Sequence, residues 1–474
     1  MEESENPRED KWKEMLRAIM GEEEAEKIFS SMKDISNDGT IFMSQPAGAD
    51  VAHFIMAQAQ NLFSGSPQGH VNWESAEKVA HASVNEKSSD LLNHKDASQA
   101  TSALQTANLW LDGVCNLDPS NGSYEAWKRA DAISHFLPVF KKITEPVAAN
   151  VAERFIEIMR EGMEDMPALP FDTGEGNMLE NIMKTSSAAL MGMQYGMMLA
   201  SIAQASFGTS DTGIPLIETQ TVALIPGNIK EYSSTLDIPT PEVELFVATR
   251  EQACARLYNS ISWIRPQIID AVAAYANRIR INKDELYDIA NSIEDPLSIN
   301  ADELQTIDLS NILITEPDDI QRAMLDKLVH LLSLIEGWVT TVCSQALMSK
   351  LPHTLALEEM FVRRNAENSP ISLLFGNSIG LSVTPRQMRE AVQFWKHATE
   401  KLGIEERDRL WNHPDLLPSP EHLSNPETFF TPAEPADIDK EIDALLADIL
   451  SQTHDSQEDS DNESQNTSKP SDEN

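Results

Sequence analysis

Apolar residues recur at helical spacing along most of the 474-residue chain. Side chains three and four positions apart lie on one side of an α-helix, so this spacing predicts a mainly helical protein in which each helix buries one face. The clearest stretch follows one helix face through Ala103, Ala107, Trp110, Leu111 and Val114.

One segment has a different pattern. Residues 212–226 are rich in β-branched side chains and are bounded by glycine and proline, which is typical of a β-strand. The predicted fold class is therefore mainly α with a small β element.

A helix is predicted directly after this strand. Pro239 and Pro241 introduce it, and Glu242 and Glu244 occupy its first turn, where the helix dipole favours acidic side chains. The pattern extends to about Asn259, and this helix contains the candidate site residues described below.

Composition divides the chain into three parts. Residues 1–42 form an acidic arm with one amphipathic helical pattern, residues 43–431 form the main domain, and residues 432–474 form an acidic tail. Within the main domain, a helical subdomain is predicted over 43–160 and the core over 161–431. The tail has too few apolar residues to fold alone and is predicted to be disordered apart from a short amphipathic helix, which either docks on the domain or binds a partner.

The net charge of −40 constrains the binding partners. Such a charge repels phosphate backbones and anionic lipid surfaces, so nucleic acid and membranes are not expected as partners. Two apolar segments, 185–210 and 328–349, contain enough polar side chains to be predicted as buried core helices rather than membrane spans.

The cysteines indicate a reducing compartment. Cys115, Cys254 and Cys343 stand far apart without paired spacing, so no disulfide framework is expected. The first residues are acidic and lack the apolar stretch of a secretory signal. A soluble, cytoplasmic protein is therefore predicted.

The helix after Pro239 contains a pentad, Arg250-Glu251-Gln252-Ala253-Cys254, that has the spacing of a zinc-binding H-E-x-x-H motif. In that motif the residues at i and i+4 hold zinc on one helix face, and the glutamate acts as general base. Arg250 has no lone pair to donate to a metal. Cys254 would ligate zinc as a thiolate, although a buried cysteine is more often an ordinary core residue.

Glu336 is the sole formal charge in residues 328–349. A buried carboxylate needs a cation or a hydrogen-bond network nearby, because its burial otherwise costs several kcal/mol. Two interpretations remain open at this point: Glu336 ligates a metal, or it forms a buried pair with Arg250 or Arg256.

Several ordered segments together resemble a known family, the predicted zinc-dependent metalloproteases of actinobacteria, which are zincin-like metallopeptidases also labelled hydrolases. A sister group of that family is associated with deazaflavin cofactor biosynthesis. The matching segments are 71–73, 108–112, 208–216, 250–265, 336–339 and 407–418, which are distributed over residues 43–430.

The resemblance implies a zincin-like fold, zinc as cofactor, and a peptide or protein as substrate. Carried over by position, Glu251 would be the catalytic base, Glu336 and Cys254 would bind the metal, and Arg250 and Trp338 would line the site. The chain departs from the family pattern at Cys254, where histidine is expected. It also departs after Val339, where Thr340 and Thr341 stand at positions at which polar residues like aspartate and histidine are expected.

Three hypotheses follow. The chain is a zinc-dependent peptidase or related hydrolase with an eroded metal site, or it is a catalytically inactive zincin-like protein that binds a peptide or protein partner. A third reading, a structural assembly protein, has no specific support in the sequence. Bound zinc would favour the first hypothesis, and a folded protein indifferent to chelators would favour the second.

Overall fold

Helices make up nearly all of the regular structure in the computed structural model, which describes residues 69–85, 92–164, 176–211, 214–278, 318–368 and 384–431. A two-stranded sheet accompanies them, so the predicted fold class is confirmed. The predicted N-terminal arm and acidic tail lie outside the described residues. In chain order the longer helices are α1 (Trp73–Asn85), α2 (His94–Leu111), α3 (Arg129–Glu164), α4 (Gly176–Ala205), α5 (Pro226–Ser233), α6 (Thr240–Ser260), α7 (Ile264–Ala276), α8 (Asp319–Leu347), α9 (Thr354–Asn368) and α10 (Pro385–Arg409). The short elements that follow are two 3₁₀ turns (Leu410–Asn412 and Pro414–Leu416), α11 (Pro420–Ser424) and α12 (Glu427–Phe430).

Helix α6 lies at the centre, with α2 packed on one side and α8 on another. It begins at Thr240, between the two prolines that predicted its start, and it ends one residue beyond the predicted Asn259. Every residue from Phe246 to Tyr258 is buried. A polar side chain on a helix that is buried on all sides is costly unless it finds a hydrogen-bonding or ionic partner.

The sheet pairs β1 (Tyr124–Ala126) with β2 (Val222–Leu224) in parallel. The predicted strand over 212–226 was too long, since the described residues before Val222 do not belong to it. Instead, the backbone N–H of Leu216 donates to the carbonyl of Thr209 at 2.9 Å, so this segment bonds to a neighbouring loop. Because Ile225, next to β2, also donates to Phe207 at 2.8 Å, the sheet fixes the loop over residues 206–211.

Helix α8 is held close to α10. A Cβ atom on Gly337 would lie 2.6 Å from the Cβ of Ala391, so only glycine permits this approach. The predicted core segments 185–210 and 328–349 lie largely in α4 and α8. Among the described residues, no helix is both long and apolar enough to cross a bilayer.

Candidate functional site

The pentad helix and α8 meet in a buried ion pair. Nη2 of Arg250 donates to Oε1 of Glu336, and Nη1 of Arg250 donates to the hydroxyl of Thr340 at 3.2 Å. The two charged side chains are only 7% and 5% exposed. Burial alone would lower the pKa of Arg250, but the Glu336 carboxylate beside it raises that pKa above its ordinary value. Glu336 therefore has a permanent cation as its partner.

Arg256, the other partner considered for Glu336, points elsewhere. Its guanidinium donates to the Asn108 carbonyl at 2.7 Å and to the Asp112 carboxylate at 2.5 Å. It thus joins α6 to α2. Of the two arginines, only Arg250 pairs with Glu336.

Glu251 is buried on a different side of α6, against the loop that β2 fixes. Its Oε2 accepts hydrogen bonds from the backbone N–H of Ser210 at 2.8 Å and the hydroxyl of Thr209 at 3.0 Å. A Cβ atom on Gly208 would lie 2.5 Å from the Glu251 carboxyl carbon, so glycine is needed for this contact.

Burial raises the pKa of Glu251 to about 8, and the negative charge of Asp211 acts in the same direction. The hydrogen bonds from Ser210 and Thr209 oppose this shift without cancelling it. At neutral pH the Glu251 side chain is therefore mainly protonated.

A second buried ion pair joins Asp211 to Arg364 of α9. The guanidinium donates to both carboxylate oxygens, at 3.1 and 2.6 Å, and also to the Ala205 carbonyl at 2.5 Å. Its central carbon lies 3.8 Å from the centre of the Phe207 ring. The backbone N–H of Phe207 donates to Asp211 at 3.0 Å, so this pair anchors α9 on the loop.

These groups form one cluster, which we call the buried charge cluster: Arg250, Glu336, Asp211, Arg364 and Glu251. Two arginines face three carboxylates, and among the described residues no lysine or arginine pairs with Glu251. A proton on Glu251 brings the cluster to a net charge of zero. Burial is the main cause of the raised pKa of Glu251, and the negative charge of Asp211 adds to it.

A small internal cavity lies beside the cluster and is lined by its members Asp211, Arg250 and Glu251. A larger cleft opens at the surface. The cavity is about 10 Å³, which is room for one water molecule. The cleft is about 380 Å³ and is lined by α5, by α9 and by the end of α4. Phe207 lines both of them.

Cys254 lines the internal cavity one helical turn after Arg250. Burial raises the pKa of its thiol well above the ordinary value, and the Glu251 charge adds to this effect. Trp338 points away from the cavity and donates its indole N–H to Asp408 at 2.8 Å. Of the predicted site residues, Arg250, Glu251 and Cys254 line the cavity. Glu336 contacts Arg250, and Trp338 lies against α10.

The residues as arranged do not fit a catalytic zinc ion. A guanidinium that cannot lose its proton sits on Oε1 of Glu336, and Oε2 of Glu251 is taken by two hydrogen bonds. Burial raises the pKa of the Cys254 thiol, which opposes formation of the thiolate that zinc binds. Within the described ranges, no three His, Cys, Asp or Glu side chains are grouped to hold a metal ion.

Arg364 was not identified from the sequence as a site residue, and Asp211 appeared only within a family segment. A signal for Arg364 existed: Leu357, Phe361 and Arg364 are spaced i, i+4, i+7, which places the arginine on the buried face of α9. Asp211 had no comparable signal, because its partner is 153 residues away.

Comparison with known proteins agrees with this architecture. The sequence pattern of the zincin-like metallopeptidases matches residues 71–430. The fold is similar to the crystal structure of "a putative hydrolase with a novel fold" from Chloroflexus aurantiacus, with a TM-score of 0.51 and 18% sequence identity over 76% of this chain and 97% of that one. No curated protein matches the sequence. The family match spans most of the chain, and the chain therefore belongs to the zincin-like metallopeptidase family.

Proposed function

We propose that this chain is a zincin-like protein that works without a catalytic zinc ion and binds a peptide or protein segment in its surface cleft. The observation that carries the proposal is the contact between the Arg250 guanidinium and the Glu336 carboxylate. The positive charge of the Arg250 guanidinium would repel a zinc ion placed at the same carboxylate. This ion pair supports the prediction from the sequence that the metal site is eroded.

The surface cleft supports the binding part of the proposal. Its volume of about 380 Å³ lies in the range of ligand-binding clefts. Phe207, Tyr232 and Met360 contribute apolar surface, while Glu231 and Arg363 contribute opposite charges at the rim. This mixture suits a peptide with both apolar and charged side chains better than a nucleic acid or an anionic membrane, which the overall charge repels.

A second candidate function is a zinc-dependent peptidase or related hydrolase. Family membership favours it, and so does Glu251, because a carboxylate with a pKa near the working pH suits general acid–base chemistry. In this candidate Glu251 is the base, and Glu336 and Cys254 hold zinc. This candidate function requires the ion pair between Arg250 and Glu336 to break so that Glu336 can bind zinc. The narrower link to actinobacterial members and their deazaflavin-associated sister group stays a prediction, as does the cytoplasmic location.

Metal analysis separates the two candidates. Protein purified without added metal is expected to contain no stoichiometric zinc by mass spectrometry, and a chelator is expected to leave its thermal unfolding unchanged, because a ligand bound only to the native state would stabilise it. Glu336→Gln is the control. A stoichiometric zinc content that disappears in this variant would overturn the metal-free proposal and favour the second candidate, which peptidase assays would then test.

Peptide binding tests the cleft directly. The full chain is expected to retain a subset of peptides from a mixed-sequence array, and Met360→Arg is expected to weaken this retention at least severalfold by placing a charge in the cleft. Met348→Arg is the matched control, because Met348 is 54% exposed and does not line the cleft. Equal retention by the two variants would locate binding elsewhere, and no retention by the wild-type chain would reject peptide binding.

A further inference from the structure

Charged side chains are distributed unevenly between the walls of the surface cleft. Glu231 is on α5, whereas Arg363 and Arg364 are on α9. The two arginines follow Met360 by three and four positions, so all three residues lie on one face of α9. The α9 wall therefore places positive charge beside the apolar surface of the cleft.

The two walls are joined by contacts within the chain. The hydroxyl of Tyr232 on α5 donates to the carbonyl of Met360 on α9 at 3.2 Å. The centre of the Tyr232 ring lies 5.1 Å from that of Phe207, which also lines the cleft. These contacts fix the apolar surface next to the arginines, an arrangement that suits a ligand with an apolar group close to a charged one.

The glutamate of the cleft already has a cation. Nη2 of Arg129 donates to Oε2 of Glu231, and Nε of Arg129 donates to the side chain of Asn228 at 2.5 Å. Arg129 is only 11% exposed and does not line the cleft. The negative charge of Glu231 is therefore compensated from within the protein, which weakens its attraction for a cationic ligand.

The two arginines differ in what they can still bind. Arg364 uses both of its Nη atoms on Asp211. Arg363 donates only its Nε, to Glu359 at 3.1 Å, and neither of its Nη atoms bonds to another described residue. The pair with Glu359 is exposed, and such pairs hold their members weakly. The two Nη atoms of Arg363 thus remain available at the rim, in the fork that matches the two oxygens of a carboxylate.

We infer that the cleft binds peptides through a carboxylate, which Arg363 holds at the rim while a neighbouring apolar side chain of the peptide packs on Tyr232 and Met360. The inference rests on the proposed peptide-binding function. The net charge of −40 does not prevent this contact, because salt screens charges beyond about 8 Å, whereas Arg363 touches the carboxylate directly. An aspartate or glutamate side chain and the C-terminus of a peptide offer the same two oxygens.

The test uses the full chain and two peptide arrays with the same mixed sequences. In one array both termini are blocked by acetylation and amidation, and in the other the C-terminus is free. Peptides retained from the blocked array are expected to contain aspartate or glutamate, and glutamine at that position is expected to weaken retention about fivefold or more. Retention from the free array alone would identify the terminal carboxylate as the group that is bound.

Substitutions of Arg363 show whether this residue reads the carboxylate. Arg363→Gln is expected to abolish the preference for a carboxylate. Arg363→Glu is expected to reverse it, so that peptides with lysine in place of the acidic residue are retained more strongly. Thermal unfolding of both variants is expected to match the wild type, because the side chain at position 363 is 71% exposed.

Arg386→Glu is the matched control. Arg386 also donates its Nε to a glutamate one helical turn away, Glu390, at 2.8 Å, and it is 78% exposed, but it lies on α10 and does not line the cleft. This variant is expected to keep the wild-type preference. Equal effects of Arg386→Glu and Arg363→Glu would overturn the inference, because the preference would then depend only on the net charge of the chain.

The outcomes distinguish this inference from the proposed function. Retention that depends neither on a carboxylate nor on Arg363, but is still weakened by Met360→Arg, overturns the inference and leaves peptide binding in the cleft standing. No retention by the wild-type chain from either array overturns both.

Discussion

Arg250→Met is expected to lower the free energy of unfolding by about 3–5 kcal/mol, because it leaves the buried Glu336 carboxylate without its cation. The methionine side chain keeps much of the apolar contact that Arg250 makes with the Phe361 ring, whose centre lies 4.1 Å from the guanidinium carbon. The decrease in the free energy of unfolding therefore measures mainly the effect of removing the positive charge. Urea denaturation of the purified chain measures it, provided that unfolding is two-state.

A double-mutant cycle gives this prediction its control. Arg250→Met with Glu336→Gln removes both charges and is expected to be more stable than Arg250→Met alone, since replacing a whole buried pair by neutral groups is often tolerated. Arg363→Met removes an exposed arginine that pairs with Glu359 within one helix, and it is expected to change stability by about 1 kcal/mol or less. If Arg250→Met and Arg363→Met have equal effects, Glu336 does not depend on Arg250.

Glu251→Gln is expected to change how stability depends on pH. The pKa of Glu251 is raised from 4.5 to about 8 in the folded chain, so the native state holds a proton that the unfolded chain releases. Stability from this group is complete below about pH 4.5 and is lost as the pH rises toward 8, at about 1.4 kcal/mol per pH unit. Between about pH 5 and pH 8, the wild-type chain should lose roughly 3–4 kcal/mol that the glutamine variant keeps.

Denaturation of both proteins at a series of pH values measures this difference. Other groups titrate in the same range, so the difference between wild type and variant is the quantity to compare rather than either curve alone. Glu400→Gln, an exposed position on α10, is the matched control and should follow the wild-type curve. Parallel curves for wild type and Glu251→Gln would show that Glu251 is ionised in the folded protein at neutral pH.

Together, the two predictions describe one electrostatic arrangement. Arg250 and Arg364 compensate Glu336 and Asp211, and the proton on Glu251 makes the buried charge cluster neutral. A zinc ion would add two positive charges to a cluster that is already balanced. This charge balance is one physical reason why the cluster, as arranged, does not fit a zinc ion.

Much of the fold could be predicted from local patterns. The helix after Pro239 was predicted with correct ends, because proline at its start and apolar spacing along its length act within a few residues. The strand was predicted in the right segment but too long, because β-branched composition does not show where the partner strand ends. The pentad and Glu336 were identified because their spacing and isolation are visible in the chain itself.

The sequence by itself determined that the protein is mainly helical, that α6 carries a metal-site spacing without the usual ligands, and that Glu336 is buried and needs a partner. Only the tertiary structure decided which partner it has. Arg250 and Arg256 are six residues apart on the same helix, and nothing local distinguishes them; they face different helices, so one reaches Glu336 and the other reaches Asp112. The Asp211–Arg364 pair was likewise decided by the fold, because its partners meet only when α9 packs on the loop before β2.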